Sequence, residues 1–349
     1  MSLSVRVGKI ALKNPLICGS GEHSISSRGI RAALAAGAAA VSAKSTNESD
    51  AARRQLDGAD YALFDSRWTR LPWDFNPPPD AQLFCRSGLI QEPFDAWLER
   101  IAALDREARE RDAYVLANLI LADLGQCAAM ARKVEQAGLR VLVLNVGAPH
   151  GDEAAKGAIV LERFSGRIKT VVEKIRESVS IPLWVKLTGQ SEDVAALAQG
   201  AKEGGADAVI VMGRFMAMLP DVETRAPSLG TMGAIGGPWA LAITCRWLAL
   251  ARKRLGTEFP LIATNGARSG LDIARFLLAG ASAVEMSSAV MAGGAAAISD
   301  ALREFENYLL KNGITAKSII GEAADKLGTY QQQLARPGHW KKFVPPEML

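Results

Sequence analysis

Short apolar runs with few charges recur along the chain, and segments of amphipathic helical period separate them. Such runs are typical of strands that are buried on both faces in a parallel sheet with crossover helices. Eight runs, each followed by a helix-compatible segment, favour a closed (β/α)8 TIM barrel over a two-domain doubly wound sheet. The predicted strands are residues 16–18, 39–43, 114–118, 141–145, 183–187, 208–212, 260–263 and 283–286.

Other segments add detail to this barrel. The helical period is clearest over residues 163–178 and 191–205. The first residues alternate around Gly8-Lys9 and predict an N-terminal β-hairpin. Residues 47–94 are rich in Asp, Arg, Trp and Pro and predict an extended loop region after the second strand. A lid or binding loop and a surface insertion without a ligand role both stay open for it.

The 349 residues, 49% of them hydrophobic, fit either two ordinary domains or one large barrel, and the strand pattern favours the barrel. We expect a single domain over residues 1–349, with a core at about 5–327 and a tail at 328–349. The net charge of +4 is spread along the chain, which argues against a nucleic-acid partner. A small-molecule substrate is therefore expected.

The cysteines indicate a reducing compartment and no metal. They form no CxxC pair, which argues against a zinc site, an iron–sulfur cluster or a disulfide framework. The chain shows no leader pattern, and no apolar run approaches the roughly 20 residues that span a bilayer. A soluble, cytoplasmic protein without a membrane span is the expectation. The four cysteines are Cys18, Cys85, Cys127 and Cys245.

Polar residues and glycines follow several predicted strands, where a barrel carries its chemistry. The last two strands lead into a turn at Thr264–Gly270 and into Ser287-Ser288. Backbone N–H groups in these adjacent turns are suited to a phosphate. A bland alternative is that Gly266 and Gly270 only permit tight turns.

Lys44 and Lys186 end predicted strands, and an unpaired ammonium inside a barrel is costly. An anionic ligand is one reason for them. A flavin gains negative charge at N1–C2=O on reduction, and a nearby lysine raises its electron affinity. The alternative for each lysine is a salt bridge to a strand-end carboxylate.

Seven motifs in consistent order resemble the dihydroorotate dehydrogenases and the pyrimidine-reducing domain of dihydropyrimidine dehydrogenases. The resemblance covers about Val5 to Leu327. It rests on Asn14–Gly21, Ala43-Lys44-Ser45, Asn145–Gly151, Val185-Lys186-Leu187, Ile235–Pro238, Thr264–Gly270 and Val284–Ser288.

The resemblance implies an FMN on the barrel mouth, and by analogy a homodimer. Asn118, which ends the third predicted strand, joins the predicted cofactor set. The other predicted FMN contacts are Gly19, Ser20, Lys44, Ser45, Asn145, Lys186, Gly236, Gly237, Thr264, Asn265, Gly266, Ser287 and Ser288.

The chain departs from the family where the substrate is recognised. Ala148 stands where the family carries a catalytic cysteine or serine, and it cannot move a proton. Gly213-Arg214 replaces a pyrimidine-binding pair, and Ser87-Gly88-Leu89 has no clear counterpart of the family's loop asparagine. The resemblance therefore keeps the cofactor frame without orotate recognition.

Candidate groups for proton transfer are His150 on the altered loop, His23 after the first strand and Glu22 beside it. A solvent-exposed loop histidine is the alternative for His150. Arg214 is suited to clamp a carboxylate or phosphate of the substrate, since its planar fork binds anions through two hydrogen bonds. Alternatively it pairs with Asp221 or Glu223.

We therefore predict an FMN-dependent oxidoreductase that acts on a small, anionic, unsaturated or cyclic substrate other than orotate. A separate electron donor or acceptor is expected, because no Rossmann glycine motif or cysteine cluster is present. Three alternatives stay open. They are an FMN-dependent isomerase or lyase, a flavin-free barrel with a Schiff-base lysine as in aldolases, and a binding protein without catalysis.

Overall fold

The computed structural model describes residues 2–147 and 164–349. Eight parallel strands close into a barrel, which confirms the predicted fold. A two-stranded antiparallel hairpin, β1 (Val5–Val7) and β2 (Ile10–Leu12), precedes it as predicted. The barrel strands are β3 (Leu16–Cys18), β4 (Ala40–Ser42), β8 (Tyr114–Ile120), β9 (Leu142–Asn145), β10 (Leu183–Lys186), β11 (Ala208–Val211), β14 (Leu261–Thr264) and β15 (Ala283–Met286).

The barrel strands are almost entirely buried, as continuous apolar runs require when helices cover the sheet. Their bounds agree with the sequence prediction to within about two residues. The largest difference is β8, which continues to Ile120 because that residue still pairs with Asn145 of β9.

Helices surround the barrel and alternate with its strands. The predicted helices at 163–178 and 191–205 are observed as α5 and α6. Short polar side chains cap several N-termini, such as Ser269 at α8, whose hydroxyl accepts from Asp272 N. The helices are α1 (Ser27–Ala35), α2 (Asp50–Arg54), α3 (Phe94–Arg109), α4 (Leu124–Gln136), α5 (Ser165–Arg176), α6 (Val194–Glu203), α7 (Leu241–Leu255), α8 (Gly270–Leu278), α9 (Ser288–Gly293) and α10 (Ala296–Asn312).

A second, five-stranded antiparallel sheet, here called the roof sheet, forms from two excursions of the chain. The first excursion follows β4 and contributes strands within the predicted loop region 47–94. The second follows β11 and was not predicted. In spatial order the strands are β12 (Phe215–Ala217), β13 (Gly233–Gly236), β7 (Gln82–Arg86), β5 (Asp60–Phe64) and β6 (Arg70–Leu71).

The roof sheet joins opposite sides of the barrel, because β4 and β11 lie four strands apart around the ring of eight. Arg86 ties the two excursions together: its Nε donates to the carbonyl of Gly58 at 2.7 Å, and its Nη1 donates to that of Leu229 at 2.8 Å. Apolar side chains pack on both faces of the sheet, Phe84 on one and Leu83 on the other. The barrel mouth is therefore covered by a structured layer.

The C-terminal residues beyond α10 form only short 3-10 turns along the surface. Several large apolar side chains there are exposed, including Tyr330 and Phe343. No helix in the described ranges combines the length and the hydropathy that a bilayer crossing needs.

The 3-10 turns of the described residues are Glu22–Ser24, Gln55–Gly58, Pro238–Ala240, Lys317–Ile319, Ala324–Lys326, Tyr330–Gln332, His339–Phe343 and Pro346–Met348.

Candidate active site

A cavity of about 540 Å³ lies between the carboxyl ends of the barrel strands and the roof sheet. Its volume falls in the range of about 300–1,000 Å³ that small-molecule sites occupy. Eleven of the predicted cofactor residues line it, and they come from loops after seven different barrel strands. These eleven are Ser20, Lys44, Ser45, Asn145, Lys186, Gly236, Thr264, Asn265, Gly266, Ser287 and Ser288.

The other three predicted cofactor residues lie behind the described part of the cavity wall. Gly19 donates its N–H to the carbonyl of Met286 at 2.7 Å. Gly237 donates its N–H to Oδ1 of Asn265 at 3.3 Å. Asn118 is buried inside the barrel, where its Nδ2 donates to Oγ of Ser42 at 3.0 Å. Its Oδ1 has no hydrogen-bond partner among the described residues.

The turn after β14 presents backbone amides to the cavity. Asn265 and Gly266 have φ angles of 67° and 132°, both in the left-handed region. Thr244 Oγ1 donates to the carbonyl of Asn265 at 2.9 Å and fixes one side of the turn. The amides of Gly266 and Ala267 have no protein partner within the described ranges, although both residues line the cavity. Consecutive free amides of this kind bind anions.

Gly270 serves packing rather than ligand binding. A Cβ at this position would lie 2.2 Å from the backbone N of Phe305, so the glycine lets α8 and α10 approach closely. Gly266 is constrained differently, since its φ is positive and a Cβ would lie 2.8 Å from the backbone of Leu241. The alternative of a tight turn therefore stays open for Gly266, whose φ is positive, while Gly270 is required by close helix packing.

The first lysine, Lys44, is paired with a carboxylate. Its Nζ donates to Oε1 of Glu22 at 2.8 Å, and both side chains are largely buried. Burial lowers the pKa of Lys44, although the charge of Glu22 opposes that change. Burial alone would raise the pKa of Glu22, but the charge and hydrogen bond of Lys44 hold that pKa below its ordinary value. Glu22 is therefore suited to hold a cation rather than to donate a proton.

The second lysine, Lys186, forms an ion pair with Glu285, which comes from β15 across the barrel. The salt bridge that the sequence left as an alternative is thus present at both lysines. Both lysines also line the cavity, so each can still face a ligand. The two interpretations of the lysines are compatible.

Arg214 extends into the cavity from the start of the second excursion, and its side chain is exposed to that space. Its Nη1 donates to Sγ of Cys85 on β7. Neither Asp221 nor Glu223 lies within ion-pair distance of Arg214. Asp221 instead accepts from the backbone N of Thr224 at 2.8 Å. A thiol is a weak acceptor, so the guanidinium keeps donors for another ligand.

Of the two candidate histidines, the structure describes His23 and not His150. The ring of His23 folds back on its own loop, where Nε2 hydrogen-bonds to the carbonyl of Gly19 at 2.8 Å. Burial lowers the pKa of His23, which favours the neutral ring. His23 is absent from the described cavity wall. His150 and the vacated catalytic position at Ala148 lie outside the described residues.

The sequence profile of the family described as dihydroorotate dehydrogenase matches residues 67–309, more than half of the chain. The chain belongs to the dihydroorotate dehydrogenase family. This membership confirms the family that the sequence motifs resemble, and the TIM barrel expected for it is observed.

Three relatives show the range of similarity. The chain is 27% identical to "Dihydroorotate dehydrogenase B (NAD(+)), catalytic subunit" of Methanocella arvoryzae over 93% of this chain and 98% of that protein. It is 30% identical to the protein of that name from Desulforudis audaxviator, over 72% of this chain and 82% of the relative. It is 33% identical to "Dihydroorotate dehydrogenase A (fumarate)" of Lactobacillus helveticus over 46% of this chain. This match covers 51% of that relative, so the chain spans about half of its length.

Within this dihydroorotate dehydrogenase fold, sequence reasoning found Gly236 and Arg214 on the second excursion but missed the other cavity residues that the excursions contribute. Cys85, Arg86 and Met232 line the cavity from the excursions, and Gln190 and Glu285 line it from barrel loops and strands. A usable signal was present, because both excursions leave the carboxyl ends of strands. Glu285 is the single acidic residue in an apolar run. Because a buried carboxylate is rarely without a partner, its position in the run was a signal for an ion pair.

Proposed function

We propose that the protein is an FMN-dependent oxidoreductase that acts on a small, anionic, unsaturated or cyclic substrate other than orotate. The observation that carries this proposal is the convergence of eleven predicted cofactor residues on one covered cavity. The cavity is large enough for one ligand of nucleotide size. A separate partner would exchange electrons with the flavin.

The residues present fit an FMN. The free amides of Gly266 and Ala267 suit its phosphate, and the adjacent Ser287 and Ser288 add hydroxyl groups. Lys186 would hold the electron-rich edge of the flavin ring, because a cation favours the charge that the ring gains on reduction. When bound, FMN would supply hydride transfer at N5, and the protein would supply binding, orientation and exclusion of water.

Arg214 supports an anionic substrate. It lies in the cavity without a direct ion pair to a described carboxylate, although the charge of Glu22 acts on it, and its planar fork suits a carboxylate or phosphate. We assign it to substrate binding rather than to proton transfer, since a guanidinium does not release its proton in proteins. Orienting the substrate over the flavin is the work that such a clamp performs.

The sequence of the cavity loops supports a substrate other than orotate. Gly213-Arg214 stands where the family resemblance implies a pyrimidine-binding pair, and the segment after β7 reads Ser87-Gly88 without a clear counterpart of the family's loop asparagine. Discrimination against a polar ligand is large when a site lacks its matching hydrogen-bond groups. We therefore propose a substrate without the pyrimidine ring's full set of donors and acceptors.

Proton transfer is assigned to His150, which follows the vacated position Ala148 by two residues. His23 is the second choice because its ring is held by Gly19 behind the cavity wall. A proton-transfer group must come within hydrogen-bond reach of the substrate.

The electron partner is proposed to be another subunit or protein. Relatives that align over most of this chain are named catalytic subunits of NAD(+)-type enzymes, which implies a second subunit in those proteins. A homodimer of this chain is likewise proposed by family analogy. A Schiff-base mechanism is disfavoured, because the Nζ of Lys44 and the Nζ of Lys186 are each engaged in an ion pair with a carboxylate.

The experiment that tests the proposal is the visible spectrum of the purified protein, together with the mass of the ligand released by heat. A flavin spectrum and the mass of FMN are expected. Anaerobic reduction by a panel of small carboxylates and their matched uncharged amides then tests the substrate class. A colourless protein that cannot be reconstituted with FMN would refute the proposal.

A further inference from the structure

The ion pair between Lys186 and Glu285 lies in the floor of the cavity. Lys186 ends β10 and Glu285 lies in β15, three strands apart around the barrel. The side chain of Glu285 is 1% exposed and that of Lys186 is 14% exposed. Such a buried pair interacts more strongly than one on the surface, because water screens it less.

Glu285 has Lys186 as its ion-pair partner, and no second cation lies within ion-pair distance of it in the described chain. The surroundings keep the carboxylate in place. A Cβ at Gly19 would lie 2.8 Å from Cγ of Glu285, so only glycine leaves room for it. Burial raises the pKa of the neighbouring Cys18 thiol, and the charge of Glu285 adds to that change.

A paired lysine acts on a ligand differently from a free one. The positive charge of Lys186 is balanced by a carboxylate that donates nothing to a ligand and carries the opposite sign. Lys44, the other cavity lysine, is balanced in the same way by Glu22 at 2.8 Å. A flavin in this cavity would therefore meet lysine hydrogen-bond donors with little net positive charge behind them.

We propose that Glu285 is a positioning residue that holds the Lys186 ammonium and lowers the reduction potential of the bound flavin. This inference rests on the proposed function, since it requires FMN in the cavity. Two-electron reduction adds negative charge to the flavin, which a free cation would favour and a compensated one favours less. Its consequence is a flavin that gives up electrons readily to a partner.

The test is the equilibrium between the FMN-loaded protein and a reference dye of known potential, measured for the wild type and for Glu285→Gln. The substitution keeps the shape of the side chain and removes its charge. We expect the equilibrium to shift toward reduced flavin by about tenfold, which corresponds to about 30 mV for a two-electron couple. Glu92→Gln is the control, because Glu92 pairs with Arg100 at 2.6 Å outside the cavity wall.

A second variant addresses the case in which Glu285→Gln leaves Lys186 unpaired and does not fold. The double variant Lys186→Met with Glu285→Gln removes both charges together, and such neutral replacements of buried pairs are often tolerated. At saturating FMN, the equilibrium of this variant with the reference dye should stay within about threefold of the wild-type value, because the ion pair adds little net charge. A tenfold shift toward oxidised flavin would show instead that Lys186 acts as an uncompensated cation.

The outcomes separate the two proposals. A wild-type protein that binds no FMN overturns the proposed function. A protein that binds FMN but whose potential is unchanged in Glu285→Gln overturns only the role of Glu285. A shift of the same size in the Glu92→Gln control would also overturn it, because that carboxylate has no contact with the cavity.

Discussion

The guanidinium of Arg214 donates a hydrogen bond to the sulfur of Cys85, and the two residues come from the two excursions that build the roof sheet. The contact fixes the direction of the arginine side chain without neutralising its charge. An oriented cation of this kind inside a covered cavity is suited to a substrate anion.

Arg214→Gln should weaken binding of carboxylate substrates. A hydrogen bond to a charged group contributes about 1.5–3 kcal/mol, so KM should rise by about 10- to 100-fold. The measurement is anaerobic flavin reduction across substrate concentrations, with FMN content checked by its absorbance. Arg225→Gln is the matched control, since Arg225 lies on the same excursion with an exposed side chain. Equal KM values for Arg214→Gln and the wild type would remove Arg214 from the substrate site.

Gly266→Ala should weaken FMN retention. Its φ of 132° is strained for alanine, and the Cβ would approach the backbone of Leu241 at 2.8 Å, at a cost of about 1–3 kcal/mol. FMN affinity, followed by flavin fluorescence during titration of the apoprotein, should fall by about 5- to 100-fold.

Gly270→Ala provides the contrast to Gly266→Ala. Its Cβ would collide with the backbone of Phe305 between α8 and α10. The expected result is a lower thermal midpoint with FMN affinity retained below that midpoint. Overpacking of this kind costs about 1–3 kcal/mol. If both variants lost FMN affinity to the same degree, the turn at Gly266 would have no special role in binding.

His150→Ala should depress turnover by about 100-fold while FMN stays bound, since general acid–base catalysis contributes about 10²–10⁴-fold. The measurement is single-turnover flavin reduction at saturating substrate. His339→Ala is the control, because that histidine lies in the C-terminal tail and contacts Phe343 rather than the cavity. Full turnover in the His150 variant would refute the assignment.

Glu22→Gln should lower stability in a pH-dependent way. The pKa of Glu22 is held below the ordinary 4.5, so its stabilising effect is complete above that pH and is lost as the pH falls through the folded-state pKa. Removing the carboxylate also leaves Lys44 unpaired, which costs about 3–5 kcal/mol for buried pairs. Thermal midpoints of the wild type and the variant should therefore differ strongly at pH 7 and converge as the pH falls below 4.5 and through the lowered folded-state pKa of Glu22. A difference in thermal midpoint that stays constant as the pH is lowered would contradict the stabilising role of the Glu22 carboxylate beside Lys44.

The barrel was predictable because buried parallel strands have a plain signature. Runs such as residues 208–212 are apolar on both faces, and amphipathic helices separate the runs. Predicting the strands also located their ends, so most polar residues of the cavity wall were predicted from the sequence. Asn118 belongs to this set by sequence, yet β8 continues to Ile120 and leaves its side chain inside the barrel.

The roof sheet was not predictable by the same rule. Its strand β5 packs Ala62 and Phe64 on one face and Leu63 on the other, so it shows no alternation of polar and apolar residues. Prolines and short strands around it give the pattern of a loop. Pairing between β7 and β13 joins segments about 150 residues apart, which no local pattern reports. The ion-pair partners of the lysines were missed for the same reason.

The roof sheet spans the barrel mouth from two opposite strands, and Arg86 ties its halves together. The residues of this layer that line the cavity therefore lie apart from the barrel strands and their loops, which carry all the predicted cofactor residues of the cavity wall except Gly236. Substitutions in that layer can change which molecule is oxidised or reduced while the barrel beneath stays as it is. Arg214, which departs from the family's pyrimidine-binding pair, and Cys85, which accepts its hydrogen bond, are where we expect such a change of chemistry.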